Sequence, residues 1–129
     1  MKENVVIDVG AYIGVTVMDI YHKYPDSEIY AFEPCRTSFR QLSHNLGKAP
    51  RVTLVNEAVD IENTTTNFNE TYARVCASLL KPCAETCHLS EASAGKMIMP
   101  DHDDHAFDIV DSYDVKCTRM DSFMEREQI

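Results

Sequence analysis

Two glycines and two carboxylates near the start of the chain have the types and spacing of a nucleotide-binding site. Gly10 and Gly14 follow a short apolar run, and Asp8 stands just before the first glycine. Glu33 ends the next apolar run, where a nucleotide-binding sheet places an acid that accepts hydrogen bonds from ribose hydroxyls. Glycine lets the backbone run close beneath a ligand, and the N-terminus of a following helix attracts anions. The spacing therefore predicts a site for the nucleoside portion of a cofactor.

Two departures from the dinucleotide pattern narrow the choice of ligand. The glycines are spaced G-x-x-x-G, whereas the dinucleotide fingerprint is G-x-G-x-x-G. A pyrophosphate also requires a helix N-terminus without negative charge nearby, and Asp8 would repel it. Both features disfavour a nicotinamide or flavin dehydrogenase.

Each of these residues also has a purely structural interpretation. Asp8 could cap the turn that follows it, and Gly10 and Gly14 could be ordinary turn residues. Glu33 could be a solvated strand end. Because the four residues occur together in the expected order, the cofactor interpretation is favoured over four separate explanations.

The elements that would position these residues alternate between strand and helix patterns. Val5 to Val9 is a run of β-branched residues, typical of a strand buried on both faces, and further strands are predicted at Glu28 to Phe32 and Arg51 to Val55. Two amphipathic helices lie between them, with apolar faces formed by Val17, Ile20, Tyr21 and Tyr24 and by Phe39, Leu42 and Leu46.

Local signals predict where these helices begin and end. The first helix should stop at Pro25, and Ser38-x-x-Gln41 has the form of a capping box for the second. Gly47 stands where a C′ glycine belongs. The resulting β-α-β-α-β order predicts an α/β, Rossmann-like fold with a parallel sheet, flanking helices and right-handed crossovers.

The remainder of the chain has a weaker pattern. An extended piece is expected around Thr66 to Tyr72, a long loop or insertion over 81–106, and a strand from Tyr113 to Arg119. Asp121 could cap a final helix that runs into Glu127. We therefore expect one domain over residues 1–129, with an irregular or inserted region at 60–112.

Composition excludes several classes of protein. A net charge of -9 argues against a nucleic-acid partner, because phosphate contacts require clustered Lys and Arg. No signal peptide or bilayer-length apolar run is present in this sequence, so no membrane partner is expected and the localisation predicted is cytoplasmic. The five cysteines are interpreted as free thiols. Tetrahedral zinc is a weaker alternative for the donors Cys83, Cys87, His88, His102 and His105.

Four stretches of the sequence together resemble the FkbM family of S-adenosylmethionine-dependent methyltransferases. They are Val6 to Gly14 (VIDVGAYIG), Tyr30 to Pro34 (YAFEP), Asn56 to Val59 (NEAV) and Arg119 to Phe123 (RMDSF). The resemblance implies a class I methyltransferase fold that transfers a methyl group to a hydroxyl of a sugar or small metabolite. It also implies S-adenosyl-L-methionine as cofactor, bound by Asp8, Gly10, Ala11, Gly14, Glu33 and Glu57.

The charge of this cofactor agrees with the position of Asp8. S-adenosylmethionine carries a sulfonium and an ammonium group and has no phosphate, so a carboxylate beside the turn attracts it. Glu57 would line the adenine side of the pocket, although it could also be an exposed loop carboxylate. No residue is identified as the catalytic base. A non-catalytic adenosyl-binding or nucleotide-binding module remains the alternative, with a dehydrogenase half less favoured.

The resemblance also predicts that the chain contains only part of a methyltransferase. In the family, a further core strand with a lysine–acid–glycine–acid signature follows the region that resembles Asp121 to Phe123, and this sequence ends at Ile129. Such a strand would pair with the free edge of Val5 to Val9. An uncovered apolar edge promotes association, so we expect a later segment or another molecule to cover it, with self-association through this edge.

Overall fold

The computed structural model describes residues 4–72, 77, 79 and 108–129. Its first sheet contains β1 (Val5–Val9), β2 (Glu28–Phe32) and β3 (Val52–Val55), in the spatial order β1-β2-β3. Helix α1 (Val15–Lys23) connects the first two strands, and α2 (Arg36–Leu46) connects the second and third. All pairing in this sheet is parallel, with Asp8 opposite Ala31. The predicted α/β class and the parallel sheet are confirmed.

A second sheet contains three further strands, and a helix follows it. Its strands are β4 (Ala58–Val59), β5 (Thr64–Thr71) and β6 (Ile109–Thr118), in the order β4-β6-β5, and the final helix is α3 (Met120–Glu127). β4 pairs with β6 in parallel. The extended piece expected around Thr66 to Tyr72 is thus part of β5. The strand predicted from Tyr113 starts four residues earlier, at Ile109, and the loop expected at 81–106 lies outside the described residues.

The chain divides into two compact units, residues 1–66 with 114–129 and residues 67–113. In the second unit, the ring of Phe68 lies 5.8 Å from that of Tyr113, whose hydroxyl donates to Glu70 Oε2 at 2.9 Å. Asn69 and Ser112 are also joined there by a 3.0 Å side-chain hydrogen bond. The residues of the candidate site described below belong to the first unit.

Apolar side chains cover both faces of the first sheet. On one face, Ala31 of β2 packs with Val17 of α1 and Leu42 of α2. On the other face, the ring of Phe123 in α3 lies 5.3 Å from Tyr30 and 4.7 Å from Phe32, both edge to face. Because side chains alternate along a strand, residues 29–32 of β2 must be apolar on both faces, which explains the unbroken apolar run after Glu28.

A distant side chain contacts the segment that follows α1. Val17, Ile20 and Tyr21 pack on the core as predicted, but Tyr24 lies beyond the helix and is 45% exposed. Arg51, just before β3, donates to the carbonyl oxygens of Ser27 at 2.7 Å and Tyr24 at 3.2 Å. The guanidinium therefore satisfies carbonyls that follow the last helical turn.

The predicted capping box of α2 is wrong. The helix begins at Arg36, and Ser38 is 2% exposed within its first turn, with an Oγ that makes no hydrogen bond in the described part of the chain. The N–H of Cys35, at the N-cap, is instead accepted by Glu33 Oε1 at 2.8 Å. The helix starts earlier because a carboxylate two residues upstream accepts this N–H, and Pro34 has no N–H that needs an acceptor.

Gly47 ends α2 without the left-handed conformation expected of a C′ glycine. Its φ is −61°, in the right-handed region, and its N–H donates to the Ser43 carbonyl at 2.9 Å. A Cβ atom at this position would lie 2.5 Å from that carbonyl oxygen. Close backbone approach, and not a positive φ, explains the glycine.

The N-cap of α3 is Arg119, so the cap predicted at Asp121 is also wrong. The Arg119 N–H donates to the side-chain oxygen of Asn63 at 2.7 Å, and Asn63 Nδ2 donates to Ser122 Oγ at 2.8 Å. Asp121 lies in the first turn, and its hydrogen bond from the Arg119 side chain lowers its pKa to about 2. A residue from the loop before β5 thus caps this helix.

β1 lies at an edge of its sheet. Within residues 4–72 and 108–129, β2 is the strand that pairs with it. Val5 and Ile7 pack beside the aromatic cluster of Tyr30, Phe32 and Phe123, whereas Val6 packs on the opposite face. The faces of β1 are therefore partly covered, and the covering of its outer edge stays a prediction.

Candidate functional site

The turn after β1 is attached to the end of β2 by its backbone. The N–H groups of Gly10 and Ala11 both donate to the Phe32 carbonyl, at 2.9 and 2.8 Å. Gly10 has φ +84° and Gly14 has φ +99°, conformations that favour glycine over residues with a side chain. The turn therefore has a defined shape, and Ala11 is buried beneath it.

The two glycines have different surroundings. A Cβ atom on Gly10 would meet no described atom within 4 Å, so the space beside this part of the turn is open. A Cβ on Gly14 would lie 2.6 Å from Leu46 Cδ1 and 2.9 Å from Leu42 Cδ1. Gly14 thus permits close packing, and the side chains that approach it belong to α2.

Asp8 has the least satisfied carboxylate at this edge of the sheet. By strand alternation its side chain is on the same face as Val6, which packs with α1 and α2. Its Oδ2 is buried and accepts no hydrogen bond from the described residues, and burial raises the pKa of its carboxyl group. The structure does not show Asp8 Oδ2 capping the turn. Desolvation without a partner is costly, which favours a ligand that supplies a donor or a positive charge.

Glu33 connects the turn with the start of α2. Its Oε2 accepts the N–H of Tyr12 and its Oε1 accepts the N–H of Cys35, both at 2.8 Å. The residue is 7% exposed, so it is not a solvated strand end. The Tyr12 backbone, whose N–H reaches this carboxylate, is in the strained left-handed region with φ +53°. The ribose contact expected for Glu33 stays a prediction.

Glu57 faces the second sheet and α3. Lys116 Nζ of β6 lies 2.7 Å from its Oε1, and Arg126 Nη2 of α3 lies 3.8 Å from its Oε2. The Glu57 side chain is 14% exposed, so it is not an exposed loop carboxylate. Its contact with adenine stays a prediction, and Lys116 and Arg126 are the charged neighbours that the structure shows.

Asn56 is a residue of this edge that the site prediction omitted. Its Nδ2 donates to the Glu33 carbonyl oxygen at 2.8 Å and to that of Pro34 at 3.4 Å. A polar residue directly after the third parallel strand was a usable signal, because the carboxyl ends of parallel strands lie at one edge. The structure thus brings together Asp8, Gly10, Glu33 and Asn56 at the ends of three neighbouring strands.

The strand ends form an edge of the sheet with open space beside Gly10. Two grooves among the described residues lie elsewhere. One, of about 590 Å³, is bordered by Met18, Tyr21 and the end of α2, and the other, of about 380 Å³, by Thr64, Lys116 and Ser122. Neither is lined by Asp8 or Glu33. The chemistry of the strand ends is a better guide than groove size, because no lining residue of either groove has a buried polar side-chain atom without a hydrogen-bond partner among the described residues.

Other predicted features can be compared only in part. Among the described residues, no group of three or more His, Cys, Asp or Glu side chains could hold a metal ion, and the donors between Cys83 and His105 lie outside those residues. Cys35 and Cys117 are buried free thiols. No helix in the described part is long and apolar enough to cross a bilayer.

Comparison with known proteins identifies no family for this chain, so its class is assigned from the fold and the site. No protein-family model matches the chain, and no curated protein matches it. The class that the structure defines is an α/β protein with a parallel three-stranded sheet and flanking helices, compatible with a Rossmann-like fold.

Proposed function

We propose that this chain binds S-adenosyl-L-methionine at the carboxyl ends of β1, β2 and β3 as part of an FkbM-type methyltransferase. The acceptor would be a hydroxyl of a sugar or another small metabolite. The observation that carries the proposal is the buried Oδ2 of Asp8, which has no hydrogen-bond partner among the described residues. Two positions later, a Cβ atom on Gly10 would meet no described atom within 4 Å.

The electrostatics of Asp8 select between cofactors. A buried carboxylate gains most from a neighbouring positive charge, because that charge offsets the desolvation that raises its pKa. The amino and sulfonium groups of S-adenosylmethionine supply such a charge. A pyrophosphate would add negative charge beside an already unsatisfied carboxylate. The structure therefore supports an adenosyl cofactor over a dinucleotide.

The other residues of the turn provide shape. Gly10 leaves room for close approach of the ligand, and Ala11 lies buried below it, whereas Gly14 allows α2 to pack against the start of α1. Glu33 holds the turn through Tyr12. A carboxylate has about four lone-pair sites, so acceptance of backbone N–H groups is compatible with acceptance of ribose hydroxyls.

The bound cofactor would supply a methyl group already activated by the positive charge of its sulfonium. The contribution of this chain would be to bind and orient that group, since methyl transfer depends mainly on alignment and exclusion of water. Asp8 would contact positive charge, and Gly10 would allow close approach. Proton removal from the acceptor is not assigned to a described residue.

Calorimetric titration with S-adenosylhomocysteine and with NAD tests the proposal. We expect binding of the first and not of the second. Asp8→Ala and Glu33→Ala should each weaken binding by about 1–3 kcal/mol, the cost of a lost charge-assisted hydrogen bond. Asp19→Asn is the matched control, because Asp19 is an exposed aspartate of α1.

Preference for NAD, or unchanged affinity in both variants, would contradict the assignment. Binding without methyl transfer to any hydroxyl acceptor, assayed with a radiolabelled methyl donor, would instead favour the non-catalytic module.

A further inference from the structure

We infer that Asn56 is a positioning residue of the proposed site, which acts by fixing the backbone from which the Glu33 carboxylate projects. The relevance of this role to a ligand rests on the proposed function. The geometric part of the inference concerns the free protein and can be tested without a ligand.

The hydrogen bonds of Asn56 reach the segment that must hold Glu33 in place. Glu33 lies just beyond the end of β2, and its N–H donates to the Val55 carbonyl at 3.0 Å. Its own carbonyl accepts Asn56 Nδ2 at 2.8 Å, and the next carbonyl, of Pro34, accepts the same nitrogen at 3.4 Å. Val55 at the end of β3 and Asn56 directly after it therefore hold both polar backbone groups of Glu33.

The contact from Asn56 matters for the carboxylate because Pro34, the next residue, cannot donate a backbone hydrogen bond that would hold this segment. Proline has no N–H to donate, so the turn from β2 to α2 lacks one backbone hydrogen bond that other residues could form. Asn56 supplies a donor from a neighbouring strand end. With the backbone held, the carboxylate reaches Tyr12 N–H on one side and Cys35 N–H on the other, each at 2.8 Å.

Asn56 and its neighbour Glu57 face different parts of the molecule. Glu57 pairs with Lys116 and lies near Arg126, whereas Asn56 contacts the end of β2. Asn56 is also exposed, so its truncation leaves no buried cavity. Loss of the Asn56 amide should therefore change the orientation of the Glu33 carboxylate with little effect on core packing.

Amide NMR of the free chain tests the geometric part, with Asn56→Ala and the isosteric Asn56→Asp, which removes the N–H donor. In both variants we expect the Tyr12 and Cys35 amide protons to move upfield and to exchange faster with solvent, because their hydrogen bonds to the carboxylate weaken. Asn63→Ala is the matched control. Asn63 also donates through Nδ2 at 2.8 Å, but it holds α3, so its loss should lower Tm and leave those two amides unchanged.

The ligand part uses a double-mutant cycle with S-adenosylhomocysteine. Asn56→Ala should weaken binding about 5- to 10-fold in the natural sequence and less than about 2-fold when Glu33 is already alanine, because the two residues act through one contact. Unchanged Tyr12 and Cys35 amides in both Asn56 variants, or fully additive losses in the cycle, would overturn the inference. If the natural chain binds no S-adenosylhomocysteine, the proposed function fails, and the amide signals alone decide the role of Asn56.

Discussion

Replacement of Gly14 by alanine should destabilise the chain more than the same replacement at Gly10. Both glycines have positive φ, +99° and +84°, so alanine would be strained at either position. Only at Gly14 would the new Cβ also meet other atoms, at 2.6 Å from Leu46 and 2.9 Å from Leu42. Gly10→Ala therefore serves as the control for the backbone term.

The expected magnitude follows from these two terms. A left-handed backbone costs an ordinary residue about 1–2 kcal/mol, and overpacking of a core adds about 1–3 kcal/mol. Leucine ends can often move, but Leu42 and Leu46 are 0% and 3% exposed within a packed cluster, so their freedom is small. We expect a loss of about 2–5 kcal/mol for Gly14→Ala and about 1–2 kcal/mol for Gly10→Ala. Alanine also lowers the conformational entropy of the unfolded chain, which stabilises the folded state by a similar amount at both positions.

Urea unfolding followed by circular dichroism measures this difference, since the chain has no tryptophan for fluorescence. A Leu46→Ala change should relieve part of the clash, so the double variant should lose less stability than the sum of the two single losses. Equal destabilisation by Gly14→Ala and Gly10→Ala would refute the packing argument. For S-adenosylhomocysteine affinity the Gly10 variant should be the more affected, because its new methyl group enters the open space.

Two further predictions concern β1. Burial raises the pKa of Asp8 in the folded chain above its ordinary value of 3.8. Protonated Asp8 therefore adds stability at pH values below 3.8, and this contribution is lost as the pH rises through the raised pKa of the folded chain. Without ligand, Asp8→Asn should therefore raise Tm by a few degrees at pH 7 and have little effect at pH 3, and a lower Tm at pH 7 would contradict the assigned cause. Self-association through the β1 edge should give concentration-dependent sedimentation, and Val9→Lys, at a 56% exposed position, should reduce it. A monomer at all concentrations would argue against this association.

The strands and helices of the first half could be predicted because their signals are local. β2 occupies Glu28–Phe32, the range expected from its apolar run, and β1 occupies Val5–Val9. Alternation of strand and helix patterns was sufficient to predict a parallel sheet, since short connections through helices leave few other arrangements.

The helix boundaries were less predictable because the groups that bind the N–H of each N-cap residue lie outside the predicted capping patterns. Ser38 and Asp121 have the residue types of N-caps, yet both lie inside their helices. The Glu33 carboxylate and the Asn63 amide bind the N–H groups of the N-cap residues instead. A sequence pattern shows which residue types are near a helix end, but it does not show which side chain will accept the N–H groups there.

The sequence by itself determined the α/β class and the order of the elements of the first sheet. It also placed Asp8 and Glu33 at the carboxyl ends of their strands, because apolar period and turn residues depend on neighbours along the chain. Only the tertiary structure decided what surrounds each carboxylate. Asp8 and Glu57 each have a buried oxygen without a hydrogen-bond partner in the described part, but the other oxygen of Glu57 pairs with Lys116. Glu33 instead accepts backbone N–H groups. These differences arise from contacts between residues far apart in sequence, which local patterns do not specify.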